Sequence, residues 1–292
     1  LRISTGSNTV FLGNIDARGL PEIEDTYIML DVDQLSSNTS DLSRIMPDVT
    51  WPSELSRAGN IQFTGNFTGF YNDFVAYGTF NTALGTINSD LNLKFSGDAD
   101  DAVYSGNIAA QNFNIGRMIA QDSLLGSITF AMNVKGRGFL FATMTTTASG
   151  TIDQVMINDY NYRHTTVNGT LDKKIFNGTV KLQDENAKLD FAGLIDFNKD
   201  LPEYDFKARV DSAHLQTLNL AGKPYIMSAS VDMNMQGKNI DDFLGYLNVT
   251  DVHFALNNDK WKTDSINLSI LRQSDTARRK LTLVSSFLSA EL

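Results

Sequence analysis

The sequence predicts an all-β fold, an antiparallel sheet of repeated meander units with short helical turns between some strands. Three observations predict it. Apolar and polar residues alternate with period two along most of the chain, as strands with one buried face require. Clusters of Gly, Asn and Asp, such as NGT, NND and SGDADD, interrupt the alternation with the turn chemistry of hairpins. Long stretches with a 3.6-residue period are almost absent.

Taken in order, the clearest strand patterns cover residues 61–67, 128–134, 179–182, 189–197, 204–210, 229–235, 252–256 and 266–270. The prolines, at positions 21, 47, 52, 202 and 224, all fall between these patterns, where a missing backbone donor costs no ladder bond. Short helical pieces are expected at TSDLSRIM (39–46), with Thr39 or Ser40 as the cap, and at NIDDFLGYL (239–247).

An internal repeat emerges when the glycine-closed strands are aligned on Gly69, Gly136 and Gly237. Ile61, Ile128 and Ala229 then superpose, as do Phe63, Phe130 and Val231, and Phe67, Val134 and Met235. Upstream, each copy has a strand opening at a tyrosine, in YIMLDVDQL (27–35), YSGNIAAQNF (104–113) and YDFKARVDSAHL (204–215), followed by a leucine-bearing loop or helical turn. The expected units are 27–103, 104–203 and 204–292, within a single elongated segment spanning 1–292. The opening LRISTG carries no leader pattern and the chain stops at SSFLSAEL, so it is expected to be a segment of a longer protein.

Composition narrows function. At 292 residues with 42% hydrophobic residues the chain holds enough apolar material for a large core. A formal net charge of −10 argues against nucleic acid and against docking on anionic headgroups, which need concentrated Lys and Arg. Without cysteine there is no disulfide, thiolate ligand or thiol nucleophile, and no run of about 18 apolar residues is present. No nucleophile elbow, zinc-protease, dinucleotide, phosphate-loop or EF-hand pattern occurs, so no enzyme activity, cofactor or metal is expected. His164, His214 and His253 are scattered and read as strand histidines. The acidic run Asp98, Asp100 and Asp101 lacks the glycine and distal glutamate of a calcium loop and reads as a hairpin tip. Six Asn-x-Ser/Thr sequons, at Asn38, Asn66, Asn168, Asn177, Asn248 and Asn267, are the chance yield of strands rich in Asn, Thr and Ser.

What remains is an apolar face repeated along the chain. Three arrangements accommodate it: a sandwich that buries it under a second sheet, a closed barrel, or a curled sheet that leaves a groove. The inward alternates are Ile61, Phe63, Phe67, Ile128, Phe130, Met132, Val134, Val231, Met233, Met235, Phe254 and Leu256. They would line a groove or fill a dry core equally well.

Residues 25–95, with the strand-then-helix stretch DVDQLSSNTSDLSRIMP and the glycine-patterned strand IQFTGNFTG followed by NDF, resemble the TamB family of translocation and assembly modules within the AsmA-like group. SASVDMNMQGKNIDDFLGYLNVTDVHF (228–254) is similar to a recurring unit of that group: a strand, G-x-x-x-D-D, a short turn and G-x-L-x-V. With the YSGNI and TASGT unit the resemblance covers most of residues 25–256. It implies a U-shaped, taco-like sheet with an apolar groove in the periplasm of a diderm bacterium, tied to the inner membrane by an anchor outside this segment. The implied function is a non-enzymatic phospholipid conduit between membranes, with acyl chains as ligand and outer-membrane biogenesis as the process served. An outer-membrane barrel protein of the Omp85 type is the implied partner. The alternative is a periplasmic scaffold or chaperone that accepts strands of outer-membrane proteins by β-augmentation.

Overall fold

The computed structural model describes residues 1–45, 53–95, 101–139, 141–238, 242–272 and 279–291. The chain divides into two compact units, Leu1–Asn161 and Tyr162–Leu292. The first unit contains β1 (Arg2–Thr5), β2 (Thr9–Arg18), β3 (Tyr27–Ser37), α1 (Thr39–Ile45), a 3-10 turn (Ser53–Ala58) and β4 (Ile61–Phe70). It continues through β5 (Asp73–Thr82), β6 (Gly85–Lys94), β7 (Val103–Asn114), α2 (Ile115–Ile119), β8 (Leu125–Arg137) and β9 (Thr145–Ile157). The second unit is built from β10 (Tyr160–Asp172), β11 (Ile175–Gln183), β12 (Ala187–Asp196), β13 (Glu203–His214) and β14 (Tyr225–Gln236), then β15 (Leu244–Leu256), β16 (Asp259–Arg272), β17 (Arg279–Ser285) and β18 (Ser289–Glu291). Every ladder within a unit is antiparallel and joins neighbours in the chain, so each unit is a meander, and no ladder among the described residues closes either one. The all-β antiparallel expectation holds.

Local chemistry explains the connections. β10 and β11 are joined by Lys173–Lys174, whose φ values of 49° and 70° both lie in the left-handed region. That is the type I′ geometry whose twist matches the flanking strands, adopted here without the usual Asn-Gly pair. Each long strand β3, β7 and β13 shifts register near its end, at Val32/Leu35, Ala110/Phe113 and Val210/Ala213. The first two then enter a helix. Asn38 caps α1 by accepting from the Asp41 N–H at 2.9 Å, and Asn114 caps α2 by accepting from the Arg117 N–H at 2.8 Å. A bulge followed by an asparagine cap is thus a repeated device for leaving the sheet.

Three sequence expectations change. The cap of α1 is Asn38 rather than Thr39 or Ser40, because a side chain must precede the first helical residue to reach the third N–H. The helix expected over 239–247 is not formed at its described end: residues 239–241 lie outside the described residues, and Leu244 already begins β15. There the alternation of Leu247, Val249 and their cross-strand partners Met233 and Val231 outweighs the helical pattern of the preceding residues. The strand pattern at 189–197 ends one residue earlier, at Asp196.

Candidate functional site

The cross-strand register assembles the alternating residues into rungs that run perpendicular to the strands. In the first unit one rung passes from β3 to β9 through Leu30, Phe67, Ala76, Leu91, Gly106, Val134 and Ala148. The next is Val32, Gly65, Gly78, Ser89, Ile108, Met132 and Gly150, and a third is Leu35, Phe63, Phe80, Ile87, Ala110, Phe130 and Ile152. In the second unit a rung passes from β10 to β16 through Val167, Val180, Phe191, Ala208, Val231, Val249 and Ile266. None of these rungs contains an Asp, Glu, Lys or Arg. The face they form is apolar and uncharged across seven consecutive strands in each unit.

Most of these side chains are half-buried, while Val32, Phe63, Ala76, Ser89 and Ala110 are buried. Phe67, Leu91, Ile108, Met132 and Val134 in the first unit, and Val180, Phe191, Phe206, Val231 and Val249 in the second, all retain contact with solvent. Residues sealed between two packed sheets would not. Buried clusters also lie at the strand ends. At the α2 end of the first unit, Ala58, Leu84, Ala110, Phe113 and Ile128 form a dry cluster, over which Leu55 of the 3-10 turn and Ile115 and Met118 of α2 pack. Arg57 ties the two helical pieces together, donating to the Met118 carbonyl at 2.5 Å. The opposite strand end is bounded by aromatic contacts that run from Phe67 to Phe74, Phe95, Phe139 and Tyr104, with ring centroids 4.2 to 6.3 Å apart. In the second unit Met235, Leu244 and Ile270 form the buried cluster, with Met233, Leu247 and Leu268 against it.

Polar groups on the apolar faces are hydroxyls that find partners. Ser89 donates to the Ala76 carbonyl at 2.9 Å, and the Tyr104 hydroxyl is hydrogen-bonded to Thr146 Oγ1. Burial pushes the Tyr104 phenol above its ordinary pKa, and the bond to Thr146 draws it partly back. The reverse faces are polar. In the second unit they carry Lys181–Asp190 and Lys207–Asp232 pairs, each at 3.3 Å, and Arg209–Asp211 at 2.7 Å. Two open clefts, of about 1030 Å³ in the second unit and about 520 Å³ in the first, lie over these polar faces.

The structure places the expected site residues as follows. Phe67 and Val134 share one rung, Phe63 and Phe130 another, and Met132 lies between them. Ile61 and Ile128 belong to the cluster under α2, where Ile128 is buried. Val231 and Met233 lie on adjacent rungs of the second unit, and Met235 is buried at the strand end. Phe254 and Leu256 pair with Met227 and Tyr225, and the Phe254 ring stacks on Tyr225 at 4.7 Å. All three histidines lie in β-strands, and among the described residues no cluster of His, Asp and Glu fit for a metal occurs. Asp98 and Asp100 lie outside the described residues, and Asp101 pairs with Arg137. The loop or helical turn expected after 104–113 is the helix α2, whereas the 3-10 turn Ser53–Ala58 that packs with it was not foreseen. The signal for α2 was present in Asn114, three residues before Arg117, but five helical residues are too few to show a period.

Compared with known proteins, the chain matches no protein-family model, no curated protein and no solved structure.

Proposed function

We propose that the apolar faces hold phospholipid acyl chains and that the protein is a non-enzymatic lipid conduit between membranes, as the resemblance of residues 25–256 to the TamB family of the AsmA-like group implies. The observation that supports this reading is the set of uncharged rungs: seven strands wide in each unit, mostly half-buried, and bounded at the strand ends by buried clusters. The energetic reason is magnitude. Two acyl chains of about 16 carbons each, fully hydrated, cost on the order of 25 kcal/mol, and an apolar face removes most of that cost. Methionines such as Met132 and Met233 suit chains of varied shape, since their side chains are flexible and polarizable. On this reading the protein works in the periplasm of a diderm bacterium, and an outer-membrane barrel of the Omp85 type receives or assists it.

Native mass spectrometry and solvent extraction of the purified protein test the reading. Co-purifying phospholipid is expected, together with transfer of fluorescent lipid between donor and acceptor vesicles. Protein that is lipid-free after gentle purification and inert in the transfer assay would sink it.

A further inference from the structure

Near the β15–β16 turn, the polar face of the second unit departs from the pattern of the rest of that face. Two rungs cross β14, β15 and β16 there, Ser228–His253–Lys262 and Ile226–Ala255–Lys260. Both line one cleft of about 210 Å³. Elsewhere on this face Lys181 is matched by Asp190, Lys207 by Asp232 and Arg209 by Asp211. Lys260 and Lys262 have no carboxylate within ion-pair distance among the described residues. Asp211 also borders the cleft, but its carboxylate is engaged by Arg209 Nε at 2.7 Å.

The four side chains border one cleft. Adjacent strands are about 4.8 Å apart, so the Cα atoms of Ser228, His253 and Lys262 span about 10 Å along their rung. His253 Nδ1 lies 2.9 Å from the Asp251 carbonyl, which accepts its proton and leaves Nε2 for a second partner. The two ammonium groups and the Ser228 hydroxyl are donors, and the ring of His253, whose Nδ1 proton is held by the Asp251 carbonyl, adds a donor at Nε2 when it carries both protons. The net charge of −10 weighs against polyanions, but a single phosphate meets the local field of these two lysines rather than the distant average.

We propose that this cleft binds the phosphate of a phosphate monoester or diester through Lys260, Lys262, His253 and Ser228. The site does not depend on the apolar faces holding lipid. Its phosphate has two possible sources, a phospholipid headgroup or a free phosphate compound.

The test is an NMR titration of the full chain at constant ionic strength, with inorganic phosphate in one arm and dihexanoyl phosphatidylglycerol below its micelle concentration in the other. Saturable shifts at Ser228, His253 and Lys262 are expected in at least one arm. In K260A, K262A and S228A, exposed or half-exposed positions whose truncation leaves the ladders intact, half-saturation should rise about tenfold for each lysine and less for the serine. Tighter binding in the lipid arm identifies a headgroup site, and tighter binding of inorganic phosphate identifies a soluble ligand. The proposal is overturned if neither arm saturates, if chloride at equal ionic strength gives the same shifts, or if K260A and K262A titrate like the wild type. Lipid extraction reads the apolar faces, so its outcome is separable from this one.

Discussion

Gly78 lies directly beneath the ring of Phe63: a Cβ at Gly78 would stand 2.6 Å from Phe63 Cε2 and 2.3 Å from the Thr64 carbonyl oxygen. The ring fills the space that the glycine leaves open, in the rung between Gly65 and Ser89. The first prediction follows from that contact. Gly78→Ala should destabilise the protein by about 1–3 kcal/mol, because the neighbour on one side is backbone and cannot swing away. Gly222→Ala, with nothing within 4 Å of the added methyl, should change stability by less than about 0.5 kcal/mol. Urea denaturation of both compares them directly, and equal stabilities would refute the contact.

The second concerns the hydroxyl pair on the apolar face. Tyr104→Phe leaves the buried Thr146 hydroxyl without its partner and should cost about 1–3 kcal/mol, whereas adding Thr146→Val should cost less than the two single changes summed. Because burial raises the Tyr104 pKa, folding is favoured by its neutral form. That stability is complete below the ordinary tyrosine range and is lost as pH rises through the raised value. Ultraviolet titration should show two tyrosines ionising after the others, Tyr104 and Tyr162, the latter raised by burial and by the Asp184 carboxylate, and Tyr104→Phe should remove one of them.

A third prediction rests on Asp41, whose carboxylate accepts from the Asn8 N–H at 2.7 Å, the Ser7 N–H at 3.4 Å and the Thr9 hydroxyl at 3.3 Å. The Asn8 bond contributes most to holding its pKa below the usual carboxylate value, with Ser7, Thr9 and Arg44 adding to it against the penalty of burial. Its stabilisation is therefore present above the ordinary carboxylate range and lost as pH falls through the lowered value. Asp41→Asn should flatten the acid limb of the stability profile, and an unchanged limb in urea melts at successive pH values would contradict it.

Face-specific charge supplies the fourth. Val134 and Lys135 are adjacent but lie on opposite faces of β8. Val134→Glu places a carboxylate on the uncharged rung beside Gly106 and Ala148 and should abolish lipid retention while costing about 1–3 kcal/mol. Lys135→Glu should leave retention unchanged. Lipid extraction from both variants decides, and equal losses would show that the apolar face has no special part in it.

The last is a core truncation in the second unit. Ile270, 4% exposed against Met235 and Leu244, should lose about 2–4 kcal/mol on change to Ala, because the cluster it leaves cannot fully collapse. A thermal melt of Ile270→Ala that matches the wild type would place the stabilising core elsewhere.

The alternation in ITFAMNVKG, residues 128–136, was enough to determine that β8 is a strand and that Ile128, Phe130, Met132 and Val134 share a face, because side-chain direction in a strand depends on nothing beyond neighbouring residues. The polar character of the reverse face was legible for the same reason. Only the tertiary structure decided that Phe67 and Val134 meet on one rung, that Phe63 covers Gly78, that Asn38 and Asn114 turn the chain out of the sheet, and that Lys262 stands beside His253. Each of these depends on register or on a single capping bond, and a shift of one residue at a bulge changes which side chains meet without changing the pattern written in any one strand.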